Sequence, residues 1–345
     1  MSLTTIEWRD NAIRIIDQTR LPGKLVYLKI KHIKQLNQAI KELKVRGAPA
    51  LGAASSLGVY LGIKDSRAKN FAQFKSELEK VITYLAASRP TARNLFWGLE
   101  QVRQVVLANQ DKPVSQIKEL ILLKAREIIK LDQQSCRAIG KYGAELIKDG
   151  DTILTVCNAG LLATIDYGTA LGVIYSACGQ AKKIKVFACE TRPLLQGARL
   201  TAWELQQAGV DTTLICDNTA GYLLRSGKIN CVIAGADRIS ANGDAANKIG
   251  TLGLAILSKY HKIPFYIAAP VSTFDLSISS GKEIVIEQRS REEVVSLFSR
   301  QPTAPEGVKV YNPAFDVTPN DLISAIITDK GVIRPPYQEN IKRLQ

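Results

Sequence analysis

The chain has 345 residues, 46% of them hydrophobic and 23% charged, which describes a globular protein and excludes a disordered or fibrous one. No apolar run approaches the roughly 18 residues a membrane span needs, and the opening MSLTTIEWRDNAIRIID has no secretion-signal core, so a cytoplasmic protein is expected. The net charge of +14 is spread along the chain without a basic tail, which fits attraction of a small anion better than nucleic-acid binding.

The first thirty residues, with IEW, AIRIID and LVYLKI around the turn LPGK, read as short strands. From residue 34 to 149 the apolar spacing is helical, in IKQLNQAIKELK, in FAQFKSELEKVITYLAA and from Val114 to Ile147. Thr91, directly after the Pro90 break, is expected to cap a helix through ARNLFWGLEQVRQVVL. The basic stretch KLVYLKIKHIKQLNQAIKELKVRG is read as a solvated face, not a nucleic-acid surface.

After Asp149-Gly150 the texture changes to short apolar runs: TILTV (152–156), KIKVFA (183–188), TTLIC (212–216), CVIAGA (231–236) and PFYIAA (264–269). Helical segments are expected between them at about 164–178, 196–208, 219–226 and 247–260. Continuous apolar strands separated by helices imply a parallel sheet covered on both faces. The expected architecture is α/β: a smaller, mostly helical domain at 1–149, then a Rossmann-like doubly wound parallel sheet at 150–345. Ligands of such sheets bind outside the carboxyl ends of the strands.

Those ends read Cys157-Asn158-Ala159-Gly160, Glu190-Thr191-Arg192-Pro193, Asp217-Asn218 and Asp237-Arg238. Single polar residues there are usually turn formers, but their coincidence on one edge marks a candidate site. No Gly-x-Gly-x-x-Gly follows a strand and no Walker sequence occurs, which argues against dinucleotides and nucleoside triphosphates. Six cysteines without a Cys-x-x-Cys pair, and only two histidines, argue against a metal site; most of these cysteines read as small core residues. Cys157 differs, because it leaves a strand toward an expected helix N-terminus that would favour its thiolate. Asp237 leaves an apolar strand into a cleft, where its pKa is expected to rise. Asn247 and Lys248 are read as the start of a helix, and Arg46-Gly47-Ala48-Pro49 as a second helix start; each could grip a phosphate.

Several segments carry a family likeness: RGAPALG (46–52), RPTARNLFWGL (89–99), CNAGLLAT (157–164), GTALGVI (168–174), ETRPLLQGARLTAWEL (190–205), AGADRISANGDAANKIGT (234–251), HKIPFYIAAPVSTFD (261–275) and NPAFDVTP (312–319). Together they make the chain resemble the 5-methylthioribose-1-phosphate isomerases of methionine salvage over nearly its full length. The wider superfamily includes ribose-1,5-bisphosphate isomerases and regulatory subunits of the initiation-factor exchange complex.

The resemblance implies that Cys157 and Asp237 are the catalytic pair. It implies that Arg46, Gly47, Ala48, Arg93, Gln196, Asn247 and Lys248 bind a phosphorylated sugar. It further implies a homodimer with no metal or organic cofactor, and neither membrane nor nucleic acid is expected as a partner. One departure is visible: Val156 stands where many members carry histidine, and its side chain is expected to point into or beside the strand. Isomerases of ribose 1,5-bisphosphate or 5-deoxyribose 1-phosphate are the nearest alternatives. A non-enzymatic exchange-factor subunit is a further one, opposed by Cys157, Asp237 and ARLTAWEL.

Overall fold

The computed structural model describes residues 3–343 except 90, 297, 299 and 300. Chain contacts divide it into two compact units: Ser2–Cys136 with Gly160–Gly168, and Arg137–Ala159 with Thr169–Gln345. The first opens with β1 (Ile6–Arg9), β2 (Ala12–Ile16) and β3 (Tyr27–Ile30), an antiparallel sheet with Ile6 opposite Ile15 and Ile13 opposite Ile30. The expected strands around LPGK are therefore present. Helices α1 (Ile33–Lys41), α2 (Ala48–Ile63), α3 (Phe71–Ala86), α4 (Arg93–Ala108) and α5 (Val114–Ala144) follow. The sequence of α2, APALGAASSLGVYLGI, is apolar on all sides because the helix is central: twelve of its residues are buried, and it packs against α1, α3 and α4. Ile13, Leu57, Phe74, Leu95, Val102 and Ile121 belong to the same core. The cap of α4 is Ala92 and not the expected Thr91; Pro90 lies outside the described residues.

The second unit contains β4 (Thr152–Thr155), α6 (Ala170–Gly179), β5 (Lys185–Cys189), α7 (Ala202–Gln207), β6 (Asp211–Ile215), α8 (Thr219–Arg225) and β7 (Cys231–Ala234). It continues with β8 (Arg238–Ser240), β9 (Ala245–Lys248), α9 (Thr251–Tyr260), β10 (Phe265–Ala268), β11 (Phe274–Asp275), α10 (Glu292–Val295) and β12 (Phe315–Thr318). It ends with β13 (Ala325–Thr328), β14 (Gly331–Ile333) and α11 (Tyr337–Lys342). Seven strands form one sheet in the order β14-β13-β10-β7-β4-β5-β6, parallel except for β14.

The two faces of this sheet carry separate cores, as alternating strand residues require. Leu154, Val232, Ala234, Phe265, Ile267 and Ile326 meet α8, α9 and α11 residues such as Leu223, Leu254 and Ile341. Ile153, Val186, Ile233, Ala268 and Ile327 meet Leu171, Val173 and Ile174 of α6 and Leu205 of α7. This is the doubly wound α/β arrangement expected from the sequence. From β4 the chain winds outward through β5 and β6, then returns to the other side of β4 and winds through β7, β10 and β13. The winding reverses between β4 and β7, which makes that gap the topological switch point where ligands of such sheets bind.

Asn247 and Lys248 do not begin a helix. They lie in β9, part of a second sheet ordered β11-β8-β9-β12, and α9 starts only at Thr251. The polar string NGDAANK masks a strand because β8 and β12 bury both of its edges, with Lys248 opposite Phe315.

Candidate functional site

Cys157 and Asp237 follow β4 and β7, the two strands that flank the switch point. The strands run parallel with Thr155 opposite Ile233, and the Thr155 hydroxyl donates to the Ile233 carbonyl at 2.9 Å. Their following loops touch: a Cβ added to Gly235 would lie 2.8 Å from the Ala159 Cβ. Adjacent strands stand about 4.8 Å apart, so the two loops open side by side.

The residues after Cys157 do not start an α-helix; the next begins at Ala170. Cys157 instead adopts φ 61°, a left-handed conformation that costs a residue with a side chain roughly 1–3 kcal/mol. Two hydroxyls offset that cost. The Cys157 amide donates to Thr191 Oγ1 at 2.8 Å, and its carbonyl accepts from Thr201 Oγ1 at 2.5 Å. Thr201 in turn accepts from the Asn158 amide at 3.2 Å, and the same amide donates to the fully buried Glu204 at 2.8 Å. Tyr175 donates its hydroxyl to the other Glu204 oxygen at 3.2 Å. Thr191 falls within the strand-end string Glu190-Thr191-Arg192-Pro193 that the sequence marks, whereas Tyr175, Thr201 and Glu204 lie in helical segments that give no such signal. Val156 is buried in the core with Leu154 and Val232, as its expected inward orientation requires.

Asp237 is half-buried in the bend between β7 and β8, and its amide donates to the Ala246 carbonyl at 2.8 Å. Asn247 and Lys248 follow directly on that paired strand. The Asn247 amide donates to Thr251 Oγ1 at 3.0 Å; the Lys248 ammonium donates to the Ala314 carbonyl at 2.8 Å and lies 4.5 Å from the Phe315 ring centre. The N-terminus of α9 is already occupied: Asp316 accepts from the Gly250 and Leu252 amides at 2.7 and 3.1 Å. Burial raises the Asp316 pKa to about 6, against the pull of those two amides and of Lys248. The main-chain amides that open α9 are thus held by a carboxylate, and the Asn247 and Lys248 side chains, on β9 and not at a helix start, remain as donors.

Gln196 precedes a single π-helical turn, Gly197–Thr201. It is 5% exposed, and its Oε1 has no hydrogen-bond partner among the described residues. A buried amide oxygen left unsatisfied is costly, so an incoming donor would gain from it. Other strand ends are spent on loop structure. Asp217 accepts from the Thr191 and Arg192 amides at 2.8 Å each, and Asp329 accepts from the Val271 amide at 2.7 Å.

Arg46, Gly47, Ala48 and Arg93 belong to the helical unit. Buried Arg46 donates from Nε to Gln18 Oε1 at 3.1 Å, and Gln18 donates to the Leu162 carbonyl at 2.7 Å. Gly47 has φ 94°, and a Cβ there would fall 2.3 Å from the Ala163 carbonyl oxygen, so only glycine fits. Ala48 opens α2 with Pro49 in its first turn, as expected, and Arg93 opens α4.

Of the remaining cysteines, Cys136, Cys189 and Cys231 are buried, and burial pushes the Cys189 and Cys231 thiols up to about 12. Cys216 is the exception to their reading as core residues: it is exposed at the end of β6. Among the described residues no three His, Cys, Asp or Glu side chains gather as a metal site, and no helix is long and apolar enough to cross a membrane.

The chain is 56% identical to a 5-deoxyribose 1-phosphate isomerase of Moorella thermoacetica, over 99% of this chain and 97% of that protein. It is 53% identical to a methylthioribose-1-phosphate isomerase of Geotalea uraniireducens, over 100% and 99%. The solved structure of 5-methylthioribose 1-phosphate isomerase from Pyrococcus horikoshii OT3 superposes with a TM-score of 0.91 at 43% identity, covering 100% of this chain and 96% of that one. A family model described as the initiation factor 2 subunit family matches residues 44–335, and the chain belongs to that family.

Proposed function

We propose that this chain is an aldose–ketose isomerase that converts 5-methylthioribose 1-phosphate into 5-methylthioribulose 1-phosphate, a step of methionine salvage. The observation that carries the reading is the pairing of Cys157 and Asp237 at the ends of adjacent strands astride the switch point. Full-length relatives named as isomerases of sugar 1-phosphates support it.

The chemistry explains why such groups are needed. A phosphate on the anomeric oxygen prevents the ring from opening to a free aldehyde. The ring oxygen must take a proton as its bond to C1 breaks, the C2 hydroxyl must give one up, and a hydrogen must pass from C2 to C1. The product is a ketone at C2 with the phosphate still on C1, so atoms and charge balance without an external oxidant. Asp237 is assigned as the acid and base at the ring oxygen or the C2 hydroxyl. Cys157 is assigned to the C1–C2 side, either as the base of an enolate route or as the polar group orienting a hydride shift. Arg46, Arg93 and Lys248 are assigned to phosphate charge, with the Gly47 and Ala48 main chain, Gln196 and Asn247 supplying hydrogen bonds.

The Moorella relative favours a second reading, 5-deoxyribose 1-phosphate as substrate. Both sugars end in an apolar group at C5, whereas ribose 1,5-bisphosphate would need a second cationic site there. We also propose a cytoplasmic homodimer, which sedimentation at twice the chain mass would support and sedimentation at the chain mass would not.

Cys157→Ser and Asp237→Asn should each lower kcat at least about a hundredfold, because acid–base groups contribute roughly 10²–10⁴-fold. Thermal midpoints should stay close to wild type. Normal turnover by either variant would remove that residue from the mechanism.

A further inference from the structure

Both main-chain polar groups of Cys157 are taken by threonine hydroxyls. Thr191 Oγ1 accepts from the Cys157 amide and donates to the Cys189 carbonyl at 3.0 Å, which ties Cys157 to the end of β5. Thr201 closes the π-helical turn ahead of α7, is fully buried, and donates to the Cys157 carbonyl. One-turn π segments re-aim a side chain that a regular helix would turn elsewhere.

The direction of the Thr201 hydroxyl is fixed by its neighbours. The Asn158 NH2 donates to Glu204 Oε1. That NH2 can only donate, so Thr201 Oγ1 accepts from it and its single proton is left for the Cys157 carbonyl. The Tyr175 hydroxyl, donating to the other oxygen of Glu204, completes the chain. Buried networks satisfied in this way hold one geometry.

We propose that Thr201 is a positioning residue for the reaction: its hydroxyl, aimed by Asn158 and Glu204, locks the left-handed main chain of Cys157 and so sets where the thiol stands. The proposal rests on Cys157 belonging to the reacting centre. It adds a residue that is not assigned to touch the sugar.

The test compares Thr201→Val, which keeps the shape and loses the hydroxyl, with Thr201→Ser, which keeps the hydroxyl, and with Cys157→Ser. The substrate is 5-methylthioribose 1-phosphate. Thr201→Val should lower kcat by about 10- to 100-fold with KM moving less than about threefold, since misplacing a reacting group by about an ångström costs up to 10²-fold. Thr201→Ser should recover most of that loss. A second readout is alkylation by iodoacetamide, followed peptide by peptide in the mass spectrometer. Its rate at Cys157 should change in the valine variant and return in the serine variant, with exposed Cys216 as the constant reference.

Wild-type kcat and wild-type Cys157 alkylation in Thr201→Val would overturn the proposal. So would equal losses in the valine and serine variants accompanied by equal falls in Tm, which mark a packing role. Normal turnover by Cys157→Ser sinks the catalytic reading and the proposal with it. Loss in Cys157→Ser beside wild-type behaviour of Thr201→Val sinks the proposal alone.

Discussion

At the residue scale, what the sequence reveals depends on whether a side chain's chemistry shows in its neighbours along the chain. Cys157 and Asp237 are legible because each ends an apolar run, where a reactive group is out of place. Thr191 shows only as part of the strand-end string ETRP, and Thr201 and Glu204 do not show at all, because they meet Cys157 and Asn158 across 44 and 46 residues of chain. Gln196 gives the sharpest residue-level prediction. Its carbonyl oxygen is buried and makes no hydrogen bond within the described residues, so removing it loses no internal bond to that atom, while a substrate donor loses its acceptor. Gln196→Met, close in volume, should lower kcat/KM by about 5- to 100-fold, since leaving a buried donor unpaired costs roughly 1–3 kcal/mol. Its Tm should equal or exceed that of wild type. A fall in Tm with unchanged kcat/KM would make Gln196 a structural residue.

At the scale of elements, β4, β5, β7 and β10 are legible because parallel strands covered on both faces are largely apolar, whereas β6, at the sheet edge with only Ile215 buried, shows through the run TTLIC alone. β7 and β10 are buried at every residue. β13 is likewise buried at every residue, and its AIIT carries the same signal. The small sheet was illegible: β11 has two residues and β9 is half polar, so neither shows a period. The helix–loop contact at Asp132 of α5 makes a pH prediction. The Asp132 carboxylate accepts from the Ile165 amide at 3.0 Å and from the Cys136 thiol at 3.8 Å. Burial raises its pKa to about 7, nearby Asp166 pushes the same way, and the Ile165 amide and Cys136 thiol pull against them. The folded chain thus holds this proton above the unfolded pKa of about 3.9. The stability it contributes is complete below that value and is lost as pH rises through about 7. Asp132→Asn lacks this dependence and should gain stability relative to wild type between about pH 4 and pH 8. Urea midpoints measured across that range check it, and a relative loss with rising pH would contradict the assignment.

At the scale of the whole molecule, the charge of +14 has to be explained together with the anionic substrate. A dispersed basic field raises the local concentration of a small phosphate without making a nucleic-acid surface. Activity on a sugar phosphate should therefore fall only modestly between 50 and 200 mM salt, because a few cations around one phosphate are screened weakly at short range. Binding along a phosphate backbone would instead fall by about 10³-fold or more over that range. Oligonucleotide binding that is submicromolar near 150 mM salt would contradict this view of the charge. The central claim is isomerisation of a ribose 1-phosphate with an apolar C5 group, and one measurement reaches it directly. The purified chain is incubated separately with 5-methylthioribose 1-phosphate, 5-deoxyribose 1-phosphate and ribose 1,5-bisphosphate, and ketose 1-phosphate is followed by NMR. Ketose is expected from the first two, with kcat/KM highest for the methylthio sugar, and at least about tenfold less from the bisphosphate, whose second phosphate would need a second cationic site. Turnover of the bisphosphate alone, or of none of the three, would contradict it.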